Sequence, residues 1–349
     1  VGERFMKVVN INSHASDSAI MIGERLDNLR KYLPVEAPII ITDTNVRECW
    51  AKHFPQGEVI TIGTGEKIKT FDTVRDIYEQ LLKLEADRSS FVVGIGGGIV
   101  CDIAGFVAST YMRGVRFGFV STTLLSQVDA SVGGKNGFNF GGFKNIVGVF
   151  NQPEFVICDL HLLKTLPQRE ILSGFAEIIK HGAIADKNLF IYLEEHRDRA
   201  LALDLAVLEK LVYDSVVIKS KIVNRDEKEK GVRRKLNFGH TFGHAIEKIT
   251  KVRHGEAVSA GMVLASELAV KKEALALKDS NRLSDLLDQY GLPVRLKFDG
   301  NKVLDTLRMD KKREGDLIHF VLLSKIGNAY VEEIAIQELE ALVVSSDNF

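Results

Sequence analysis

Between residues 37 and 159 the chain alternates short β-branched runs with segments of helical period, and this alternation is the strongest limit on what it can fold into. APIIITD (37–43), EVITI (58–62), SFVVGIGGG (90–98), RFGFVSTTLL (116–125) and FVICD (155–159) read as strands, the fourth running into a helix start. VRECWAKHF (46–54) and residues 70–84 read as helices between them. Strands with both faces buried carry runs of Ile and Val rather than an alternating pattern. Strands that alternate with helices build a parallel sheet. After about residue 159 the pattern changes. From 167 to 290, Leu, Ala, Ile and Val recur at three- and four-residue spacing, which predicts helix almost throughout. Residues 317–334, LIHFVLLSKIGNAYVEEI, read as a late hairpin with Gly-Asn in the turn.

The fold class expected is therefore α/β. A Rossmann-like parallel-sheet domain over residues 1–159 precedes a mainly α-helical domain over 160–349, a division that suits a chain of 349 residues. The net charge of −1 supplies no field that would recruit nucleic acid or a membrane surface. No apolar run is long enough to span a bilayer. The three cysteines, Cys49, Cys101 and Cys158, are odd in number and far apart, which argues for reduced thiols and a cytoplasmic home. Met6 reads as the native start, with residues 1–5 a remnant ahead of it.

GIGGGIVCD (94–102) follows a strand and opens a helix. Glycines let a backbone approach an anion, and a helix N-terminus offers it N–H groups. The stretch is neither the usual dinucleotide fingerprint, because Ile99 occupies the sixth position, nor a P-loop, because no Gly-Lys-Ser/Thr follows. Taken alone, a tight strand–helix turn explains it equally well. Asp43 ends an earlier strand, where an acid can reach a ribose hydroxyl, and Thr122-Thr123 ends another. SVGGKNGFNFGGFKN (131–145) is a glycine-rich loop carrying Lys135, Lys144 and no acid, with Asp129 just ahead of it. Such a loop is either a solvated surface excursion or an anion grip.

LNFGHTFGHAIE (236–247) sets His240 and His244 four residues apart, on one face of a helix. His254 follows, and Glu177 lies in an otherwise apolar helical stretch, where a carboxylate needs a partner. A metalloprotease is excluded, because Thr241 stands where its general-base Glu would be. A catalytic zinc takes three protein ligands and keeps one position open. The spacing leaves undecided which of the three histidines does not bind.

The motifs GGGIVCDIAGFVASTYMRG, STTLLSQVDASVGGKNGFN, TLPQREILSGFAEIIKHG, DEKEKGVRRKLNFGHTFGHAIE and HGEAVSAGM occur in that order. Together they resemble the 3-dehydroquinate synthase family of the shikimate pathway, over about residues 43–333. The resemblance implies a metal, zinc or cobalt, held by Glu177, His240 and His254, with His244 turned to the substrate phosphate. It implies NAD held at Asp43, Glu66, Lys69, Gly96, Gly97, Gly98, Asp102, Thr122, Thr123, Lys135, Lys144 and Thr165. It implies a seven-carbon keto-acid sugar phosphate, 3-deoxy-D-arabino-heptulosonate 7-phosphate, as substrate. Lys219 and Arg233 would hold its carboxylate, and Lys135, Asn145, Asn237, His244 and either Lys311 or Lys312 its phosphate. Asp129 and Lys180 would lie around the ring hydroxyls, and Arg113 would be supplied by the partner subunit of a homodimer. The activity implied is a phosphate lyase that oxidises its substrate transiently, eliminates phosphate, restores the hydride and closes a carbocycle.

Three departures from the family pattern stand out. Asn136 follows Lys135 in place of Thr, Phe140-Gly141-Gly142-Phe143 precedes Lys144 in place of His-Pro-Leu-Gly, and Cys101 replaces a Gly. Competing readings are another sugar-phosphate cyclase on the same fold, a metal-dependent polyol dehydrogenase, and a catalytically dead metal- and nucleotide-binding protein. Lys219, Arg233 and Asn237 argue against the first, the cluster of anion-binding lysines against the second, and the intact ligand positions against the third.

Overall fold

The computed structural model describes residues 6–12, 17–308, 313–314 and 317–340. Lys311 and Lys312, expected at the substrate phosphate, lie outside the described residues. The chain forms two compact units. The first comprises residues 1–171 and 208–227, and the second 172–207 and 228–349. The sequence placed the change of domain at 159/160. The compact units divide between Ile171 and Leu172, and residues 208–227 group with the first.

The first unit is built on a seven-stranded sheet and a hairpin. Its strands are β1 (Lys7–Ile11), β2 (Ser18–Ile22), β3 (Ile39–Asp43), β4 (Glu58–Ile62), β5 (Phe91–Gly96), β6 (Arg116–Ser121), β7 (Lys135–Phe140), β8 (Phe143–Phe150) and β9 (Phe155–Cys158). The helices between them are α1 (Thr44–Trp50), α2 (Phe71–Lys83) and α3 (Gly98–Thr110). The sheet runs β1-β2-β9-β6-β5-β3-β4. All neighbours are parallel except β1, which pairs antiparallel with β2 at the edge. Ile40, Val93, Ile95, Val120 and Ile157 join Met21, Leu29 and Phe91 in one buried cluster.

Local chemistry sets the helix starts. The Asp43 carboxylate accepts the Val46 N–H at 3.0 Å and so caps α1. The Thr70 hydroxyl accepts the Thr73 N–H at the start of α2, whose buried residues Val74, Ile77 and Leu81 fall on one stripe. The glycine-rich stretch read as a loop is an antiparallel hairpin. Lys135 pairs with Phe150 and Phe140 with Phe143. Gly141 and Gly142 turn it with φ of +58° and +79°, the left-handed geometry of a two-residue hairpin turn.

The second unit is helical except for a small sheet. Its helices are α4 (Gln168–Ala185), α5 (Lys187–Glu195), α6 (Arg197–Leu201), α8 (His240–Thr250), α9 (His254–Lys271), α10 (Leu277–Gln289) and α11 (Gly300–Arg308). Helix α7 (Leu205–Arg225) lies mainly in the returning segment of the first unit. Strands β10 (Arg313–Glu314), β11 (Leu317–Lys325) and β12 (Asn328–Ala335) form an antiparallel sheet. The late hairpin is thus β11–β12, but its turn is Ile326-Gly327 and Asn328 already belongs to β12. Helix α9 is buried on nearly every side, as expected for a helix apolar all round.

Helices α8 and α9 approach through glycines. A Cβ on Gly261 would lie 2.0 Å from the Gly239 carbonyl oxygen and 2.8 Å from the Gly243 nitrogen. Gly239 has φ of +77° and directly precedes His240. Replacing Gly261 with Ala should therefore force the helices apart and cost about 1–3 kcal/mol. Denaturant unfolding of the variant should show a lower midpoint with an unchanged slope. Wild-type stability would mean that the contact is not tight.

Candidate active site

Glu177 sits in the middle of α4 with no exposure to water. One of its oxygens, Oε1, is 3.6 Å from His240 Nε2 and 3.5 Å from His254 Nε2. The other pairs with the Lys180 ammonium one turn on. Ligand atoms of Glu177, His240 and His254 all lie within 4.8 Å of one another. His240 opens α8 and His254 opens α9, so the close glycine packing of these helices brings the two rings together.

The orientation of the rings fits a metal. His240 Nδ1 lies 3.1 Å from the Phe238 carbonyl oxygen, which can only accept. The proton therefore sits on Nδ1, and the Nε2 lone pair faces Glu177. His254 Nδ1 lies 3.5 Å from the Glu247 carboxylate, again leaving Nε2 toward Glu177. Two imidazoles and a carboxylate, each fixed from behind, form a set of three donors that would hold a metal once His254 gives up its proton. Burial and the nearby Lys180 ammonium push His240 down to about 3, only partly opposed by Glu177. Burial also disfavours the charged form of His254, but Glu177 and Glu247 outweigh it and push that ring up to about 9. The ring of His244 stands 5.2 Å from that of His240, edge to face. Arg233 and Asn237 lie in the short 3₁₀ helix Val232–Asn237 just before α8. Arg233 is 2% exposed, and the Asn237 amide donates to Glu229 at 2.5 Å.

In the first unit Asp43, Gly96 to Gly98 and Thr122-Thr123, among the expected nucleotide residues, lie at or just beyond the carboxyl ends of the central strands. Strand β3 leads through α1 to β4 on one side, and the chain returns through α2 to β5 on the other. Ligands of open parallel sheets bind beyond the strand ends at such a reversal. Asp43 is the last residue of β3 and Gly96 the last of β5. Thr122 follows β6 and donates its N–H to the Gly96 carbonyl at 3.0 Å. A Cβ on Gly97 would lie 2.8 Å from the Thr123 methyl, so this turn has no room for a side chain. Burial raises the Asp43 carboxyl, opposed by backbone N–H groups of α1. Burial likewise raises Asp102, opposed by Lys69, with which it pairs. Lys69 also donates to the Asn145 side chain at 2.5 Å. Thr165 accepts from the Trp50 indole at 3.0 Å.

Asp129 lies on a π-helical turn, Ser126–Ala130, a geometry frequent at functional positions. Its carboxylate pairs with Lys219 of α7, whose ammonium also donates to the Asp129 backbone carbonyl at 2.5 Å. This contact is part of what returns residues 208–227 to the first unit. Lys135 and Lys144 are exposed on the hairpin. Arg113 is exposed and left-handed, with φ of +72°.

The departures resolve locally. The buried Asn136 amide donates to the carbonyls of Gly134 and Asn151 at 3.1 and 2.8 Å. Phe140 and Phe143 flank the hairpin turn. Cys101 is buried in α3, and its thiol is pushed up by burial. Sequence reasoning overlooked Glu247, Glu229, Asn139 and the Phe238 carbonyl. Glu247 alone left a signal, lying one turn beyond His244 on the same helix.

The family model for the 3-dehydroquinate synthase N-terminal domain matches residues 59–173, and that for its C-terminal domain matches 174–313. A 3-dehydroquinate synthase of Acetivibrio thermocellus is 43% identical over 320 residues, covering 88% of this chain and 89% of the relative. One from Pyrococcus furiosus is 44% identical over 305 residues, covering 85% and 88%. Among solved structures, 2-deoxy-scyllo-inosose synthase complexed with carbaglucose-6-phosphate, NAD+ and Co2+ superposes with a TM-score of 0.89 at 25% identity, covering 97% of this chain and 100% of the other. The 2-epi-5-epi-valiolone synthase of Streptomyces hygroscopicus with NAD+ and Zn2+ bound superposes with a TM-score of 0.88 at 26% identity, covering 98% and 99%. A probable glycerol dehydrogenase of Sinorhizobium meliloti, at 14% identity and a TM-score of 0.62 over 93% of this chain and 94% of that one, shares the fold. By these matches over most of its length, the chain belongs to the 3-dehydroquinate synthase family.

Proposed function

We propose that the chain is a 3-dehydroquinate synthase. It converts the seven-carbon keto-acid sugar phosphate to 3-dehydroquinate and inorganic phosphate, with NAD as a recycled cofactor and a divalent metal at Glu177, His240 and His254. The observation that carries the reading is the meeting of those three ligand atoms within 4.8 Å, with both imidazoles turned to offer Nε2. Support for the substrate comes from relatives above 40% identity that bear this name. Support for the cofactors comes from the two cyclase structures that hold NAD+ with Co2+ or Zn2+.

When bound, NAD accepts and later returns a hydride, and the metal lowers the pKa of the hydroxyl being oxidised. The protein's share is placement and charge. Asp43, Gly96, Gly97, Gly98, Thr122 and Thr123 at the strand ends form the nucleotide bed, with Glu66, Lys69, Asp102, Lys135, Lys144 and Thr165 around it. Arg233 and Lys219 take the substrate carboxylate, and Asp129 keeps the Lys219 ammonium in place and offsets the cost of burying it. Lys135, Asn145, Asn237 and His244 take the phosphate, together with Lys311 or Lys312. Lys180 and Asp129 face the ring hydroxyls. Arg113 is offered to the partner subunit of a homodimer. A recycled NAD would leave no net redox change. The three thiols are all free, which supports a reducing, cytoplasmic setting.

The deciding assay is phosphate release from the sugar phosphate with NAD and zinc, while absorbance follows NADH. Phosphate release that stops on chelation and leaves no NADH is expected. NADH accumulation from simple polyols without phosphate release would instead identify a dehydrogenase. Arg233→Ala should raise KM for the sugar phosphate about 10–100-fold, the cost of a charged hydrogen bond, with metal content unchanged. An unchanged KM would remove Arg233 from the carboxylate site. Glu247→Gln should weaken zinc about 10–100-fold by loosening His254, measured by competition with a chromophoric chelator. His254 also sets the pH dependence. Its ring is protonated below about 9 in the metal-free chain, and zinc must displace that proton. Apparent zinc affinity should therefore fall about tenfold per pH unit below 9, and a flat profile between pH 6 and 8 would contradict the assignment.

A further inference from the structure

The β7–β8 hairpin is irregular at one place. Phe138 pairs with Val147 and Phe140 with Phe143, so Asn139 alone faces Lys144, Asn145 and Ile146. Two extra residues on one strand leave backbone groups outside the ladder, and such bulges re-aim side chains. Asn139 answers this with both its side chain and its main chain. Its side-chain oxygen accepts the Asn145 N–H at 2.9 Å, in the place of a ladder carbonyl. Its side-chain NH₂ donates to Glu66 at 2.7 Å. Its backbone N–H leaves the hairpin altogether and donates to the Lys69 carbonyl at 2.9 Å. The amide orientation is fixed by its partners, since an N–H needs the oxygen and a carboxylate needs the NH₂.

The consequence lies in what these partners are. Asn145 is left-handed, with φ of +50°, an uncommon state for a residue other than glycine. Asn139 braces it there. The Lys69 ammonium closes the ring by donating to the Asn145 side chain while pairing with Asp102. Glu66, Lys69 and Asp102 belong to the proposed nucleotide bed, and Asn145 to the proposed phosphate grip. We propose that Asn139 is a positioning residue that locks these two sets into one body, so that filling the nucleotide bed orders Asn145 for phosphate and phosphate tightens NAD in return. The coupling is reciprocal by necessity. This inference rests on the functional reading above.

The test is calorimetric titration of NAD into the full chain, with and without saturating inorganic phosphate as the probe of the phosphate grip. In the wild-type chain phosphate should tighten NAD about fivefold or more, the lower end of ordinary coupling. Asn139→Ala removes both side-chain bonds, and the ratio should fall toward one while NAD affinity without phosphate changes less than about twofold. Asn139→Asp is isosteric but sets a second carboxylate against Glu66 and loses the donor. It should lose the coupling as fully as the alanine variant, whereas a role in filling space alone would leave it like wild type. A thermal melt separates simple hairpin loosening, which would lower Tm without touching the ratio. A ratio of one in the wild-type chain, or a wild-type ratio in either variant, overturns the inference. If the wild-type chain binds NAD and releases phosphate from the sugar phosphate, that failure belongs to the inference alone. If it does neither, the functional reading falls and the inference with it.

Discussion

A carboxylate sealed from water is the constraint around which the second unit is arranged. Glu177 has no exposure, and an ionised carboxyl in such a place is tolerable only among cations and donors. The lysine one turn along the same helix supplies one. The two imidazoles face the other oxygen, and they can do so only because the first residues of two helices converge on it. That convergence depends on glycines where α8 crosses α9, since any side chain at Gly261 would collide with the backbone of the facing helix. Packing, electrostatics and ligand geometry are thus one problem with one solution. The same enclosure that makes the carboxylate expensive would make it a strong ligand for the proposed metal, because water is kept from it.

The first unit meets a different demand. A parallel sheet places all its strand ends on one rim, and the rim becomes a site where the strand order reverses. Residues distant in sequence, such as Asp43, Gly96 and Thr122, reach that rim because each ends or follows a strand. Short side chains and bare backbone dominate there. Charge arrives from outside the sheet, on Lys69 and on the hairpin.

Much of this was legible in the residues. Ile-rich runs between helical segments foretold the parallel sheet, and the continuous three- and four-residue periodicity foretold the helical second half. Glu177, His240 and His254 stood out because charged or metal-seeking side chains lay in apolar or glycine-containing stretches. Spacing could not choose between His244 and the others, since residues four apart share a face whatever they bind. Two features were hidden for physical reasons. The segment from 131 to 145 looked like a loop, because its glycines and asparagines are poor strand formers and only pairing with the following strand organises them. Lys219 lies in an unbroken helical pattern, and nothing local marks its salt bridge with Asp129 ninety residues earlier.

That salt bridge belongs to a segment whose position has a consequence for synthesis. The first unit comprises residues 1–171 and 208–227. A ribosome delivers the sheet early, but the α7 segment that completes the unit emerges only after residues 172–207 of the other unit have been made. The nascent sheet must wait, with Asp129 lacking its ammonium, until that later stretch arrives. The second unit is interrupted in turn, and cannot close until the chain beyond residue 228 follows. Neither unit can be released by a single cut, and a fragment that stops at residue 171 lacks one of its own helices. The two halves share one folding history, although each keeps its own core.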